Sequence, residues 1–151
     1  GAGGSAYLWY DGTASRWNVE VISAGAWITR TFAAGNFTTN GAGGWTVPSC
    51  ITDAYSLHGR TLHMAVMTNL STVTAATGTE LRVALPAGFT GNLRQINGAL
   101  VYDNAVSRNG LVEAQVGVTY LRVFADATQA LAYTASTTNT LINFTTTIEV
   151  Q

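Results

Sequence analysis

Tyr55–Phe89 reads YSLHGRTLHMAVMTNLSTVTAATGTELRVALPAGF, and its alternation decides the fold class. Leu62, Met64, Val66, Thr68 and Leu70 share one parity, with His63, Ala65, Met67 and Asn69 on the other. After a Thr/Ala/Gly loop the pattern resumes, Leu81, Val83 and Leu85 on one side and Glu80, Arg82 and Ala84 on the other. A period of two marks strands whose two faces meet different surroundings. Leu85-Pro86 punctuates the end.

Outward from this stretch the same grammar repeats. Tyr7–Tyr10 is β-prone, Asp11-Gly12 is a turn dipeptide and Arg16–Val21 alternates again, predicting an N-terminal aromatic hairpin with a loop wider than two residues. Gly25 separates it from a strand over Ala26–Phe32. Residues 33–49, AAGNFTTNGAGGWTVPS, form a long Gly/Asn loop ending at Pro48. Ile51–Leu57 leads into the central stretch. Further strands are expected over Leu93–Tyr102, Leu111–Val118 and Thr119–Ala125, with Asn109-Gly110 as a turn signal and Gly117 as a turn or bulge. Asp126–Thr140 reads as a second long loop, able to add one helical turn over Ala125–Ala135. In the last strand Ile142, Phe144, Thr146, Ile148 and Val150 share one face. Roughly eight to ten strands at this spacing predict an all-β, antiparallel β-sandwich, most simply a jelly roll.

The chain has 151 residues, enough for one domain with its own core. Two parts are expected: residues 1–22, a linker and hairpin, and residues 23–151, the sandwich. Gly1-Ala2-Gly3-Gly4-Ser5 has neither the basic region nor the apolar core of a signal peptide and reads as a linker within something longer. Hydrophobic residues make up 47% and charged residues 10%, with Arg as the only strong base. That is well below the usual quarter of charged residues. Hydroxyls and amides must keep the surface soluble, which suits virion or extracellular proteins and chains that pack on copies of themselves. A net charge of −1 gives no basic footprint for nucleic acid. No apolar run approaches the roughly 20 residues of a membrane helix, so no membrane insertion is expected. Single Cys50 rules out an intrachain disulfide and reads as a buried structural thiol.

Catalytic signatures are missing. Asp11, Asp103 and Asp126 sit at turns, where Asp satisfies backbone donors. Glu80, Glu113 and Glu149 fall on solvent-facing or edge positions of strands, and nothing marks two acids as a glycosidase pair. His58 and His63 flank Gly59-Arg60 at an odd spacing, which in a continuous strand sets them on opposite faces unless Gly59 bends the chain; with no third ligand marked, no metal site or cofactor is expected. No nucleophile elbow or phosphate loop is present. Aromatics offer binding instead: an apolar platform with convergent polar groups is the logic of a carbohydrate site. Trp17 and Trp27, inside alternating runs, read as core or interface residues. Trp45 and Tyr133, in long loops, suit a ligand platform and core or interface packing about equally.

Two stretches resemble a known class. LWYDGTASRW (residues 8–17) resembles a hairpin recurring in bacteriophage tail-fibre and tailspike chains. YSLHGRTLHMAV with ELRVALPAGF resembles fibre-tip domains, which look like the trimeric jelly rolls of the C1q and tumour-necrosis-factor type. The resemblance implies a non-enzymatic homotrimeric head on a virion tail fibre, recognising a bacterial surface glycan or an outer-membrane protein. No His-rich metal tip or autocleavage signature accompanies it. A carbohydrate-binding module of a secreted enzyme and a purely structural virion domain are the competing classes. If strands alternate in direction from Thr61, the loops Ser71–Gly78, Asp103–Asn109 and Asp126–Thr140 fall at one end. Receptor contact is then expected from Asp103, Asn104, Arg108 and Tyr133, with Trp45 added from the Gly/Asn loop.

Overall fold

The computed structural model describes the backbone of residues 5–11 and 16–22 and the full detail of 25–75 and 77–151. Among the described residues thirteen strands run in chain order: β1 Ser5–Asp11, β2 Arg16–Ile22, β3 Ile28–Thr29, β4 Phe37–Thr39, β5 Trp45–Thr46, β6 Cys50–His58, β7 Thr61–Thr68, β8 Ser71–Val73, β9 Glu80–Ala84, β10 Gln95–Asp103, β11 Val106–Ala114, β12 Tyr120–Phe124 and β13 Ser136–Glu149. Among the described residues there is no α-helix, only a 3-10 turn at Ala34–Asn36. β1 and β2 pair antiparallel with each other, Ser5 opposite Ile22 and Asp11 opposite Arg16, as the aromatic/DG pattern predicted.

The remaining strands form one antiparallel sheet in the order β3-β6-β7-β13-β10-β11-β12-β9-β4, with β5 pairing β8 and β8 pairing β13. The sheet curls over a single core, and the architecture is the β-sandwich of jelly-roll type expected from alternation. β7 alternates strictly, Leu62, Met64, Val66 and Thr68 buried and the residues between them half-buried. Leu81 and Val83 of β9 enter the same core. The two strands that opened the sequence reading are thus not neighbours. β7 lies between β6 and β13, and β9 between β12 and β4, and both turn their apolar faces into the same core. Leu70, assigned to the β7 apolar face, lies beyond the strand's end and is exposed.

β13 ties the architecture together. Its first residues pair with β8, and its later ones pair with β10 and β7 on either side. Ile142, Phe144, Thr146, Ile148 and Val150 are all buried, as their shared parity required.

Three local expectations are corrected. The β10–β11 connection is a two-residue turn, Asn104-Ala105, rather than a loop reaching Asn109. Asn109 and Gly110 lie inside β11, opposite Leu100 and Ala99. β13 begins at Ser136, which shortens the second long loop. The strands beyond the expected number are the short β4, β5 and β8, too brief for alternation to register, and the strand expected over Ala26–Phe32 is only Ile28–Thr29.

Candidate functional site

The three loops expected at one end converge and are held together by hydrogen bonds. Ala105 N–H donates to Asn139 O at 2.8 Å, and Tyr133 N–H donates to Gly78 O at 2.9 Å. Thr138 N–H donates to Thr72 Oγ1 at 3.2 Å. Between them lies a groove of about 480 Å³, lined by Thr72, Thr74, Asn104, Ser136 and Thr137 with Val73 and Ala135. It carries no charged residue. Hydroxyls and one amide both donate and accept, so the groove is equipped for a neutral, hydrogen-bonding ligand.

The backbone around it is strained. Among the described non-glycine residues, positive φ occurs at Asn104 (49°), Ala105 (65°), Gln129 (61°) and Thr138 (53°), in the loops of this end and in the irregular start of β13. Positive φ at both central residues is what a type I′ hairpin turn requires. Thr138 is the more costly case, because a β-branched side chain crowds the left-handed region. It lies where the β13–β8 register shifts between Ser136 and Thr140. Ser136 and Thr140 hydroxyls bond each other at 2.7 Å, and Ser71 Oγ donates to Thr140 O at 2.7 Å beneath them. Strain of this kind persists only where surroundings over-determine it, and it concentrates at functional sites.

Of the five residues expected to touch a receptor, Asn104 lines the groove. The others build its support. Asp103 is buried; Oδ1 accepts from Thr134 N at 2.9 Å and Oδ2 from Thr134 Oγ1 at 3.0 Å. Arg108 Nε lies 3.4 Å from the same Oδ2, a pair one-third open to solvent on the arginine side. Tyr133 is only 5% exposed and its hydroxyl donates to Val123 O at 3.2 Å. Burial, with Asp103 and Asp126 adding to it, raises the Tyr133 phenol well above its ordinary range. Trp45 is 6% exposed, packs edge-on to Phe37 at 5.4 Å and donates from Nε1 to Ser71 Oγ at 2.8 Å. As platforms for a ligand, Trp45 and Tyr133 are corrected: each fills the core and braces a loop from below.

Asp126 pins the loop before β13. Its Oδ1 accepts from Leu131 N at 3.2 Å and its Oδ2 from Thr128 N at 3.2 Å. A further bond from the Thr128 hydroxyl is the largest influence holding this carboxyl below the usual range. The groove residues Thr72, Ser136 and Thr137 were missed from sequence. The Ser/Thr density of residues 134–140 was the available signal, but nothing in it distinguishes a groove wall from an ordinary exposed strand.

Elsewhere, Glu80 and Glu113 are buried rather than solvent-facing. Arg122 bridges them, through Nε to Glu80 and through Nη1 to Glu113 Oε2 at 2.9 Å. Arg82 Nη2 adds a 2.6 Å contact to Glu80 and Arg94 Nε a 2.5 Å contact to Glu113. Both acids are therefore committed to guanidinium groups. The Gly59-Arg60 turn bends the chain between β6 and β7 and brings the His58 and His63 rings to 5.3 Å. His63 Nδ1 is bonded to Thr147 Oγ1 at 2.9 Å. Among the described residues no group of three or more His, Cys, Asp or Glu side chains could hold a metal ion, and no helix is long and apolar enough to cross a membrane.

Compared with known proteins, the chain matches no family model, no curated protein and no solved structure.

Proposed function

We propose that this chain is the receptor-binding head of a virion fibre, such as a phage tail fibre, and that it binds a bacterial surface glycan or outer-membrane receptor through the three-loop groove. The observation that carries the reading is the groove itself: an uncharged, hydroxyl-lined depression held by loops whose non-glycine residues adopt positive φ. No step of chemistry is required of it, and the reading is of an adhesin rather than an enzyme.

Self-association as a homotrimer is part of the proposal. Ile96, Leu100 and Tyr102 of β10 share the outward parity and are 37–45% exposed. A sheet face with that much open apolar surface and little charge favours burial against another copy.

Adsorption to bacteria, with a glycan array alongside, tests the binding site. The double variant Asn104→Ala/Thr137→Ala, folded as judged by circular dichroism, is expected to lose cell or glycan binding. Unchanged binding by that variant would overturn the assignment to this groove. A carbohydrate-binding module draws support from the same groove chemistry; light scattering separates it, since a module runs as a monomer and a fibre head as a trimer.

A further inference from the structure

The outer face of β9, β12 and β11 gathers three arginines. Arg122 lies directly opposite Arg82 of β9 on one side and Glu113 of β11 on the other. Like charges set opposite each other repel, so Arg82 and Arg122 need an anion close by. Glu80 supplies one: its Oε1 accepts from Arg82 Nε at 2.6 Å and its Oε2 from Arg122 Nε. Glu113 accepts Arg122 Nη1 on one oxygen at 2.9 Å and Arg94 Nε on the other at 2.5 Å. Both carboxylates are sealed from solvent, whereas the side chains of Arg82, Arg122 and Arg94 are 29%, 25% and 61% open to it.

Three guanidinium groups on two carboxylates leave one positive charge over, and it lies on the open side. Arg30 and Arg108, by contrast, each meet one acid. The cluster is also held in place. Arg82 lies over the Tyr120 ring at 4.6 Å and Arg122 over the Phe124 ring at 4.9 Å. Arg82 Nη1, Arg122 Nη2 and both terminal nitrogens of Arg94 bond no described residue. Guanidinium groups clamped from beneath, with N–H donors facing water and a charge in excess, are preorganised for an anionic acceptor.

We infer that this face binds an oxyanion, a single carboxylate or phosphate group, held by Arg82 and Arg122 with Arg94 at the rim. Uronic acids and phosphorylated sugars carry such groups. None of the three arginines lines the three-loop groove, and the inference would stand if that groove bound nothing.

Titration of the full chain with sodium phosphate, sodium glucuronate and glucose at constant ionic strength, followed by NMR of the arginine Nε–H groups, tests it. Phosphate or glucuronate is expected to shift the Arg82 and Arg122 signals saturably, and glucose to leave them in place. Tighter glucuronate assigns the site to a carboxylate, tighter phosphate to a phosphoryl group. Arg82→Gln leaves Glu80 paired with Arg122 and is expected to weaken binding about tenfold. Arg94→Gln, an exposed position whose loss leaves the fold intact, should weaken it about threefold. Arg108→Gln removes the same charge elsewhere and should change nothing. Absence of a saturable shift with both anions overturns the inference, as does a shift that sodium chloride reproduces. Equal weakening by Arg82→Gln, Arg94→Gln and Arg108→Gln also overturns it, since the effect would then be one of net charge and not of this face.

Discussion

Gly110 passes so close under Phe124 that a Cβ placed on it would come within 2.3 Å of the Phe124 carbonyl oxygen and 2.6 Å of Val101 Cγ2. The backbone of β12 is the nearer obstacle, and backbone cannot rotate out of the way. Gly110→Ala is therefore expected to destabilise the fold by about 3 kcal/mol or more. Gly98, one strand away in β10, has nothing within 4 Å of its Cβ position. Gly98→Ala should cost nothing, and the same urea denaturation series compares the two variants directly. Equal midpoints for the two variants would refute the close-approach argument.

Arg122 holds two buried carboxylates at once, and Arg94 holds one of them from an exposed position. Removing a bridging charge leaves buried carboxylates underpaired, which costs several kcal/mol, whereas an exposed partner contributes little. Arg122→Met should thus destabilise by about 3 kcal/mol, and Arg94→Met by less than about 1 kcal/mol. Denaturant midpoints at matched ionic strength check the ordering.

The alternation in β7 and β13 was legible because each strand is long and faces the core with one parity only. The same rule misplaced Asn109-Gly110. An Asn-Gly pair signals a turn locally, but here Gly110 is required by the backbone of β12, a contact made across the sheet. The true turn, Asn104-Ala105, lacks the glycine that would have announced it. Aromatic placement failed for a related reason. Loop position suggested that Trp45 and Tyr133 could be free, and folding buries both because the loops turn inward over the core; Trp27, read from alternation as a core or interface residue, is exposed beside the two-residue edge strand β3 and so is not in the core. Glu80 and Glu113 sit at outward parity, yet Arg122 and its neighbours cover them. Parity reports the face of a sheet and not what lies over it.

Tyr133 makes stability sensitive to alkali. Its phenol is protonated in the fold to well above the ordinary value of 10.0, chiefly through burial and then through Asp103 and Asp126. A folded value raised above the unfolded one gives stability that is intact below pH 10 and drains away as the pH climbs beyond it. Tyr133→Phe is expected to cost about 1 kcal/mol at neutral pH, from the bond lost to Val123 O. The gap between wild type and Tyr133→Phe should then narrow above pH 10. Thermal unfolding of both proteins across that range measures it, and a constant gap would contradict it.

Cys50 has its thiol pushed up to about 11, first by burial and then by Asp53, with Arg30 opposing. Only the thiolate reacts with disulfide reagents. Relative to an ordinary thiol near 8.5, labelling at neutral pH should be slower by roughly two orders of magnitude. Full-rate labelling should return in urea. Rapid reaction of the native protein with Ellman's reagent would show that the site is open.

The strained loops allow stability and binding to be separated. Ala105 at φ 65° and Thr138 at φ 53° occupy a region in which glycine carries no side-chain penalty. Ala105→Gly and Thr138→Gly are each expected to raise stability by about 1 kcal/mol, less the extra entropy glycine brings to the unfolded chain. Their effects on receptor adsorption should differ. The Asn104-Ala105 turn keeps its geometry with glycine at the second position, so Ala105→Gly should bind as wild type does. Thr138 N–H is bonded to Thr72 Oγ1 across the groove, and glycine there loosens the wall formed by Ser136 and Thr137. A more stable Thr138→Gly protein with weakened adsorption is therefore the expected outcome, read from denaturant midpoints and cell-binding assays on the same preparations. If Thr138→Gly gains stability and binds fully, the strain is incidental to recognition.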